Sequence, residues 1–205
     1  MSSSSKPKLL VAHCEYAAAR FACEVWHYSR SVPTPPHNMF GVWEDDEFIG
    51  VVIFSRGASP NIGKPYGLPQ TECCELTRIA LGDHKTEVSR IVKIALKMLK
   101  RASPGLRLVV SYADPDKGHN GAIYQAGGWL YVGETSKTRE YIDADGKRWH
   151  SRMVATSGFR RVYGELRPVL KPEDCTVKVM PGKLKYLMPL DSKIRSEIES
   201  LSQPY

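Results

Sequence analysis

The sequence predicts an α/β protein: one mixed, mostly antiparallel sheet with helices on both faces, followed by a C-terminal strand and helix extension. Three observations carry this reading. Strand-like and helix-like segments alternate through the middle of the chain while hairpin patterns flank them, the arrangement of a sheet covered by helices. The run "EVSRIVKIALKMLKRA" places Val88, Ile91, Val92, Ala95, Met98 and Leu99 on one 3.6-residue stripe. Turn signals separate the β-rich runs.

Taken in order, "MSSSSKPK" is too polar and repetitive to pack, and residues 1–8 are expected to be a mobile tail. "CEYAAARFACEVWHYS" is alanine-rich, with Ala19, Cys23 and Trp26 on one helical face, and the prolines of "VPTPPHN" end it. "MFGVWED" and "EFIGVVIFSRG" read as an antiparallel hairpin around an acidic turn. "TECCELTRIAL" alternates, putting Cys73, Glu75, Thr77 and Ile79 on one face of a strand. The long helix follows, with Arg90, Lys93, Lys97, Lys100 and Arg101 off its apolar stripe; a solvated face is the default for such a run.

Next come a buried-type strand, "LRLVVSYADP", a short helix with glycine at its end, "HNGAIYQAGG", and a further strand, "WLYVGET". "REYIDADGKRWHSRMV" reads as a second hairpin, its Asp145-Gly146 pair suited to type I′ geometry. From about Pro168 the composition changes: "VKVMPGKLKYLMPL" reads as strand, turn, strand, and "SKIRSEIESLSQ" as a helix anchored by Ile194, Ile198 and Leu201. The expected organisation is a tail over 1–8, a main domain over 9–167 and an extension over 168–205 packed on it.

Composition bounds the function. The 205 residues, 42% of them apolar, suffice for one main core. Lys and Arg outnumber Asp and Glu by 29 to 22, a net charge of +7, which favours an anionic partner such as nucleic acid. Cys14, Cys23, Cys73, Cys74 and Cys175 contain no CxxC pair and leave an odd residue, the pattern of a reduced cytoplasmic set. Cys73 and Cys74 are adjacent in a strand and point to opposite faces, so they are poor joint ligands for one metal. No signal-type or membrane-length apolar segment is present in the sequence.

Several residues suit chemistry, each beside a structural alternative. Asp114 falls just past the end of a strand, where ligands collect in α/β sheets; an Asp-Pro turn carboxylate also bonds local N–H groups. His27 closes the first helix as a catalytic imidazole or as a partner of the helix dipole. Ser89, with Arg90 beside it, lies at the start of the long helix as a cap or as a donor-binding group. Ser111 lies at a strand end. His119 and Asn120 open the short helix, to touch a donor or to cap. Glu75 and Arg78 lie on opposite faces of their strand, one for an ion pair and one for solvent or substrate. In "GFRRVYGELRP", Arg160, Arg161 and Arg167 interleave with Phe159 and Tyr163, a mix that can hold phosphates and stack a base, or simply form a polar hairpin edge.

The element order is similar to the GCN5-related N-acetyltransferase (GNAT) fold, and "NGAIYQAGGWLYVGE" looks like that superfamily's closing pattern of Asn, Tyr, Gly and an aromatic. The resemblance gives Tyr124 the role of general acid toward a leaving thiolate. The loop "LGDHKTEVSR" departs from the superfamily's glycine-bearing pyrophosphate cradle, having no glycine at those places. "WHYSRSVP", "FGVWEDDEFIGVVIFSRGA", "QTECCELTRIAL", "VSRIVKIALKMLKRASPGLRLVVSYADPDKGHNGAIYQAGGW" and "PGKLKYLMPL" together resemble the phage Mom family of adenine-modifying proteins.

That resemblance implies conversion of DNA adenine to N6-carbamoylmethyladenine, which protects phage DNA from restriction. One route is attack of N6 on a glycyl-type donor followed by rearrangement to the carbamoylmethyl product. It implies an adenine flipped from double-stranded DNA into a pocket beside His27 and Asp114. The donor it allows is acetyl-CoA, an aminoacyl-tRNA or another glycine-derived molecule. His27 and Asp114 holding a divalent iron with a further ligand is the alternative to their acting as an oriented base. A homodimer and a location in the host cytoplasm are compatible with it. Two other readings stay open: an acetyl-CoA-dependent acetyltransferase on a protein or small amine, and a non-catalytic DNA-binding accessory protein on the same scaffold.

Overall fold

The computed structural model describes residues 6–33, 36–57, 59–162 and 164–205. The first five residues of the expected tail, and Tyr163, lie outside the described residues. The chain forms two compact units: one comprises the residues up to Ala113 together with Gly121–Gly133 and Lys185–Tyr205, the other Asp114–Asn120 and Glu134–Leu184.

The larger unit is built on β1 (Leu9–His13), β2 (Pro36–Glu44), β3 (Glu47–Ser55), β4 (Cys73–Leu81), β5 (Leu108–Ala113), β6 (Leu130–Glu134) and β12 (Leu184–Pro189). Its helices are α1 (Tyr16–Trp26), α2 (Val88–Ala102), α3 (Ala122–Ala126) and α4 (Ser192–Ile198). The sheet order is β1-β2-β3-β4-β5-β12-β6, so the last strand of the chain is inserted between β5 and β6. Neighbours from β1 to β4 are antiparallel, and β4 and β5 run parallel. β1, which no sequence signal above marked, is a five-residue run of mixed burial at the sheet edge.

Alternation along the strands divides the core. Val51 and Ile53 pack with Ala19, Ala22 and Cys23 of α1, which leaves Val52 and Phe54, equally buried, for the opposite face. Leu108 and Val110 pack with Ile194 and Ile198 of α4, and Val109 and Ser111 point the other way. α2 buries Ile91, Val92, Ala95, Leu96 and Leu99. Val88 and Met98, expected on its stripe, are half-buried, and Leu96 takes a core place.

The primed hairpin turn is not where the sequence placed it. Asp45 and Asp46, between β2 and β3, both have positive φ (48° and 70°), the signature of a two-residue type I′ turn. Lys8 stabilises this glycine-free turn: its N–H donates to Asp45 Oδ1 at 2.8 Å and its ammonium reaches Asp46 at 3.2 Å. At Asp145-Gly146 only the glycine has positive φ (78°), and the Gly146 N–H donates to the Asp143 carbonyl. Asp143 accepts from the N–H groups of Asp145 and Lys147 and from Trp149 Nε1, so an aspartate-centred turn replaces the I′ geometry.

The smaller unit holds β7 (Thr138–Ile142), β8 (Arg148–His150) and β11 (Thr176–Met180) in the order β11-β7-β8, and a separate hairpin of β9 (Phe159–Val162) and β10 (Glu165–Pro168). The expected strand, turn, strand of residues 177–190 is present, but its two strands belong to different sheets.

Candidate functional site

The parallel β4–β5 ladder has three pairs, Cys73↔Leu108, Cys74↔Val109 and Glu75↔Val110, and stops there. At the next step a side chain takes over: Ser111 Oγ, fully buried, donates to the Leu76 carbonyl at 2.9 Å. The register of β4 shifts at the same level, where Ile53↔Arg78 gives way to Phe54↔Leu76 and Thr77 becomes the extra residue. Ser55 Oγ and Thr77 Oγ1 lie 2.6 Å apart across this bulge.

Tyr124 of α3 reaches Ser111, hydroxyl to hydroxyl, at 2.8 Å. Proton counting fixes the direction. A carbonyl only accepts, so the single Ser111 proton goes to Leu76, and Tyr124 must donate to Ser111. Tyr124 is buried, its ring stacked on Tyr186 (4.8 Å) and edge-on to Trp129 (5.1 Å). Burial pushes its pKa up to about 12; the Ser111 hydrogen bond opposes this, and Tyr28, Glu75 and Tyr186 reinforce it. Tyr124 therefore holds its proton at neutral pH and suits acid rather than base chemistry. Tyr28 and Glu75 thus belong to the electrostatic surroundings of Tyr124, which sequence spacing alone did not reveal.

His27, directly after α1, is 8% exposed. The Ser29 N–H donates to its Nδ1 at 3.0 Å, and Ser29 Oγ lies 2.8 Å from the same nitrogen. A backbone N–H only donates, so Nδ1 is unprotonated and the ring proton resides on Nε2. The ring stacks obliquely on Tyr28 at 4.3 Å. His27, Ser111 and Tyr124 lie in the larger unit; Asp114, His119 and Asn120 lie in the smaller.

Asp114 does what a turn aspartate does: Oδ1 accepts from the Asp116 N–H at 3.2 Å. Its other oxygen is 3.0 Å from Lys183. The His119 N–H donates to the Asp114 carbonyl. Neither expected residue takes the N-cap position. Gly121 (φ 80°) precedes α3 where Asn120 was expected to cap, and Glu87 precedes α2, with Ser89 one residue inside the helix and Arg90 exposed. Arg78 donates to the carbonyls of Ser31 and Thr77. In the β9–β10 hairpin Arg160 and Arg167 are cross-strand partners, Arg161 donates to the Gly164 carbonyl, and Arg167 pairs with Glu165 at 3.1 Å.

The β4–α2 loop does not fit a pyrophosphate cradle. Besides lacking the glycines, its Lys85 and Thr86 N–H groups both donate to the carboxylate of Glu44, a buried residue at the end of β2. The loop's amides are thus satisfied by an internal anion. Desolvation raises the Glu44 pKa, but bonds from Thr86 and Lys85 together with nearby His84 outweigh it and hold the carboxyl below its ordinary range. Among the described residues no group of three His, Cys, Asp or Glu side chains is placed to hold a metal ion. Burial pushes the Cys73 thiol up to about 12 and raises Cys74 as well, which makes both inert. No described helix is long and apolar enough to cross a membrane.

The sheet order, the parting of β4 from β5 and the buried tyrosine beside it define a protein of the GNAT acyltransferase fold. Two solved structures share it: a Bacillus subtilis acetyltransferase in complex with CoA (TM-score 0.50, 12% identity, covering 91% of this chain and 100% of that one) and FeeM, an N-acyl amino acid synthase from uncultured soil microbes (TM-score 0.50, 11% identity, 97% and 99%). At such identities the likeness is one of fold. The sequence model of the Mom protein family matches residues 8–205, and the chain belongs to that family. A curated relative, the methylcarbamoylase Mom of Escherichia phage Mu, is 28% identical over 152 residues, which cover 71% of this chain and 62% of the relative.

Proposed function

We propose that this protein is a DNA-modifying transferase that converts adenine N6 to N6-carbamoylmethyladenine and so shields phage DNA from restriction. The observation that carries this reading is family membership across residues 8–205, together with a Mu relative described as a methylcarbamoylase. The local chemistry supports it.

Adenine N6 is a poor nucleophile because its lone pair is delocalised into the ring, so bond formation must be coupled to loss of an N6 proton. General-base help in such a step is worth about 10²- to 10⁴-fold. His27 and Asp114 are the proposed candidates for the general base, and Tyr124 is the proposed donor of a proton to the leaving group. His27 presents an Nε2–H, so accepting a proton at that nitrogen requires the other tautomer and loss of the Ser29 amide bond. Tyr124 can deliver its proton only by leaving Ser111. The donor that balances the product is a glycyl carrier: N6 displaces the carrier from the glycyl carbonyl, the carrier leaves with a proton, and the N6-glycyl group rearranges to its carbamoylmethyl isomer. The Glu44-filled loop argues against a diphosphate seated at the start of α2. Arg160, Arg161 and Arg167 are the proposed DNA contacts.

Mass spectrometry of nucleosides from DNA co-expressed with the protein tests the proposal. Carbamoylmethylated deoxyadenosine is expected, falling at least about 100-fold with His27→Ala, as for loss of an acid–base group. Unmodified deoxyadenosine beside well-folded wild-type protein overturns it.

A further inference from the structure

On the larger unit, α2 forms one wall of a cleft of about 450 Å³, a size that accepts an organic ligand. Ser89, Val92, Lys93, Leu96, Lys97 and Lys100 contribute to that wall, recurring at intervals of three, four and seven, so they make one continuous helical stripe. Facing them are Gly127, Gly128 and Trp129 after α3 and Met188, Pro189 and Leu190 at the end of β12, with Arg195 entering from α4. The apolar members make a floor, and four cations stand around it.

The cations at this cleft are not ion-paired, although Lys100 lies in the field of Asp191. Among the described residues none of Lys93, Lys97, Lys100 and Arg195 has a carboxylate within ion-pairing distance. The nearest candidate in sequence, Asp191, is spent on Arg107 at 2.9 Å and on the Ile194 N–H. Lys100 is tethered to the carbonyls of Pro104 and Leu106, which fixes its charge at the helix end. Gly128 adds no side chain to the opposite wall, and a β-carbon there would meet nothing within 4 Å, so that side lies open to an approaching backbone.

We propose that this cleft binds a single strand of DNA, its phosphodiester backbone running along Lys93, Lys97, Lys100 and Arg195 and a sugar or base edge lying on the Val92, Leu96 and Met188 floor. Spacing favours a strand over one phosphorylated small molecule. The three lysines are separated by rises of about 6 and 4.5 Å along the helix, a row of about 10 Å. That row is too long for one phosphate group, and it matches successive phosphates of a strand drawn out beyond its stacked rise of about 3.4 Å. The choice of DNA rests on the function proposed above; the charge row and the cleft do not.

The test is fluorescence anisotropy of the full chain with a labelled 12-nucleotide DNA single strand across a salt series. In Lys93→Glu/Lys97→Glu we expect affinity to fall at least about tenfold and the log–log salt slope to shrink by about 1.4, two phosphate contacts' worth for a single strand. Lys93→Gln/Lys97→Gln, milder for folding, is expected to lower the slope in the same sense at an unchanged melting temperature. Arg101→Glu, on the same helix but outside the cleft, should change little; an equal loss there overturns the proposal, because the effect is then the general field. Unchanged strand affinity in both lysine pairs overturns it, as does lysine-dependent binding of an RNA strand or of free coenzyme A without binding of DNA. Nucleoside analysis stays separate: modified DNA with lysine-independent strand binding sinks the cleft alone, and unmodified DNA with lysine-dependent binding sinks the function alone.

Discussion

The Tyr186 hydroxyl occupies the space where a β-carbon on residue 121 would stand. Gly121 also has φ of 80°, so two independent constraints meet at one position before α3. Gly121→Ala is expected to cost about 2–4 kcal/mol, from left-handed backbone strain and overpacking together. For a chain of this size that lowers Tm by roughly 4–16 °C in a thermal melt. Adding Tyr186→Phe, which removes the nearest obstructing atom, should recover part of the loss; no recovery would assign the cost to the backbone and to the ring carbons Cζ and Cε2, which stand at 2.5 and 2.8 Å from the same β-carbon.

Glu44 gives a pH-dependent prediction. Its folded pKa is depressed, so its contribution is present above the unfolded value of about 4.3 and is lost as pH falls through the folded value. Glu44→Gln should destabilise the protein at pH 7, because the neutral amide accepts the two loop N–H groups less strongly. Chemical unfolding should show a constant gap between wild type and variant from pH 6 to 8 that narrows below about pH 4. A gap independent of pH down to 3 would show that Glu44 does not act as a charge.

The proton order in the Ser111–Tyr124 pair predicts unequal mutants. Ser111→Ala strands both the Leu76 carbonyl and the Tyr124 hydroxyl in the core, at about 1–3 kcal/mol for each group left unpaired. Tyr124→Phe leaves the Ser111 donation to Leu76 intact and should cost less. Combined with Tyr124→Phe, Ser111→Ala should cost less than the sum, since one stranded group is gone. Denaturant unfolding of the three variants measures this. A loss with Tyr124→Phe as large as that with Ser111→Ala would reverse the assigned direction.

The β9–β10 hairpin carries Arg160 directly opposite Arg167. Like charges facing across strands destabilise a free hairpin, and a bound phosphate relieves that repulsion. Arg160→Ala should therefore weaken binding to duplex DNA and lower the salt slope by about 0.9, without lowering Tm. Binding isotherms at several salt concentrations check it, and a drop in Tm would point to a structural arginine instead.

Local signals made much of this architecture legible. The Val88–Leu99 stripe, the two hairpins around Asp45 and Asp145, and the strand ending in Ser111 and Tyr112 are written in periodicity and turn chemistry. Turn type was less legible: Asp45 and Asp46 hold the primed geometry because Lys8, 37 residues away, bonds Asp45. N-cap positions were less legible for the same reason. Asn120 and Ser89 suit capping by residue type, but Gly121 must precede α3 to make room for Tyr186, and Glu44 serves the loop before α2.

By itself the sequence determined the elements, their apolar faces, the basic balance and the motifs that mark the family, because each depends on residues within a few turns or pleats of one another. Tertiary structure decided what required distant parts to meet. It brought β12 between β5 and β6, ended the β4–β5 ladder at Glu75 and let Ser111 hold the break, so that Tyr124 gives its proton to a serine 13 residues earlier. It also turned a lysine row with the pattern of a solvated face into one wall of a cleft. Hydrogen-bond direction, desolvation and ion pairing are properties of such meetings, and no spacing along the chain encodes them.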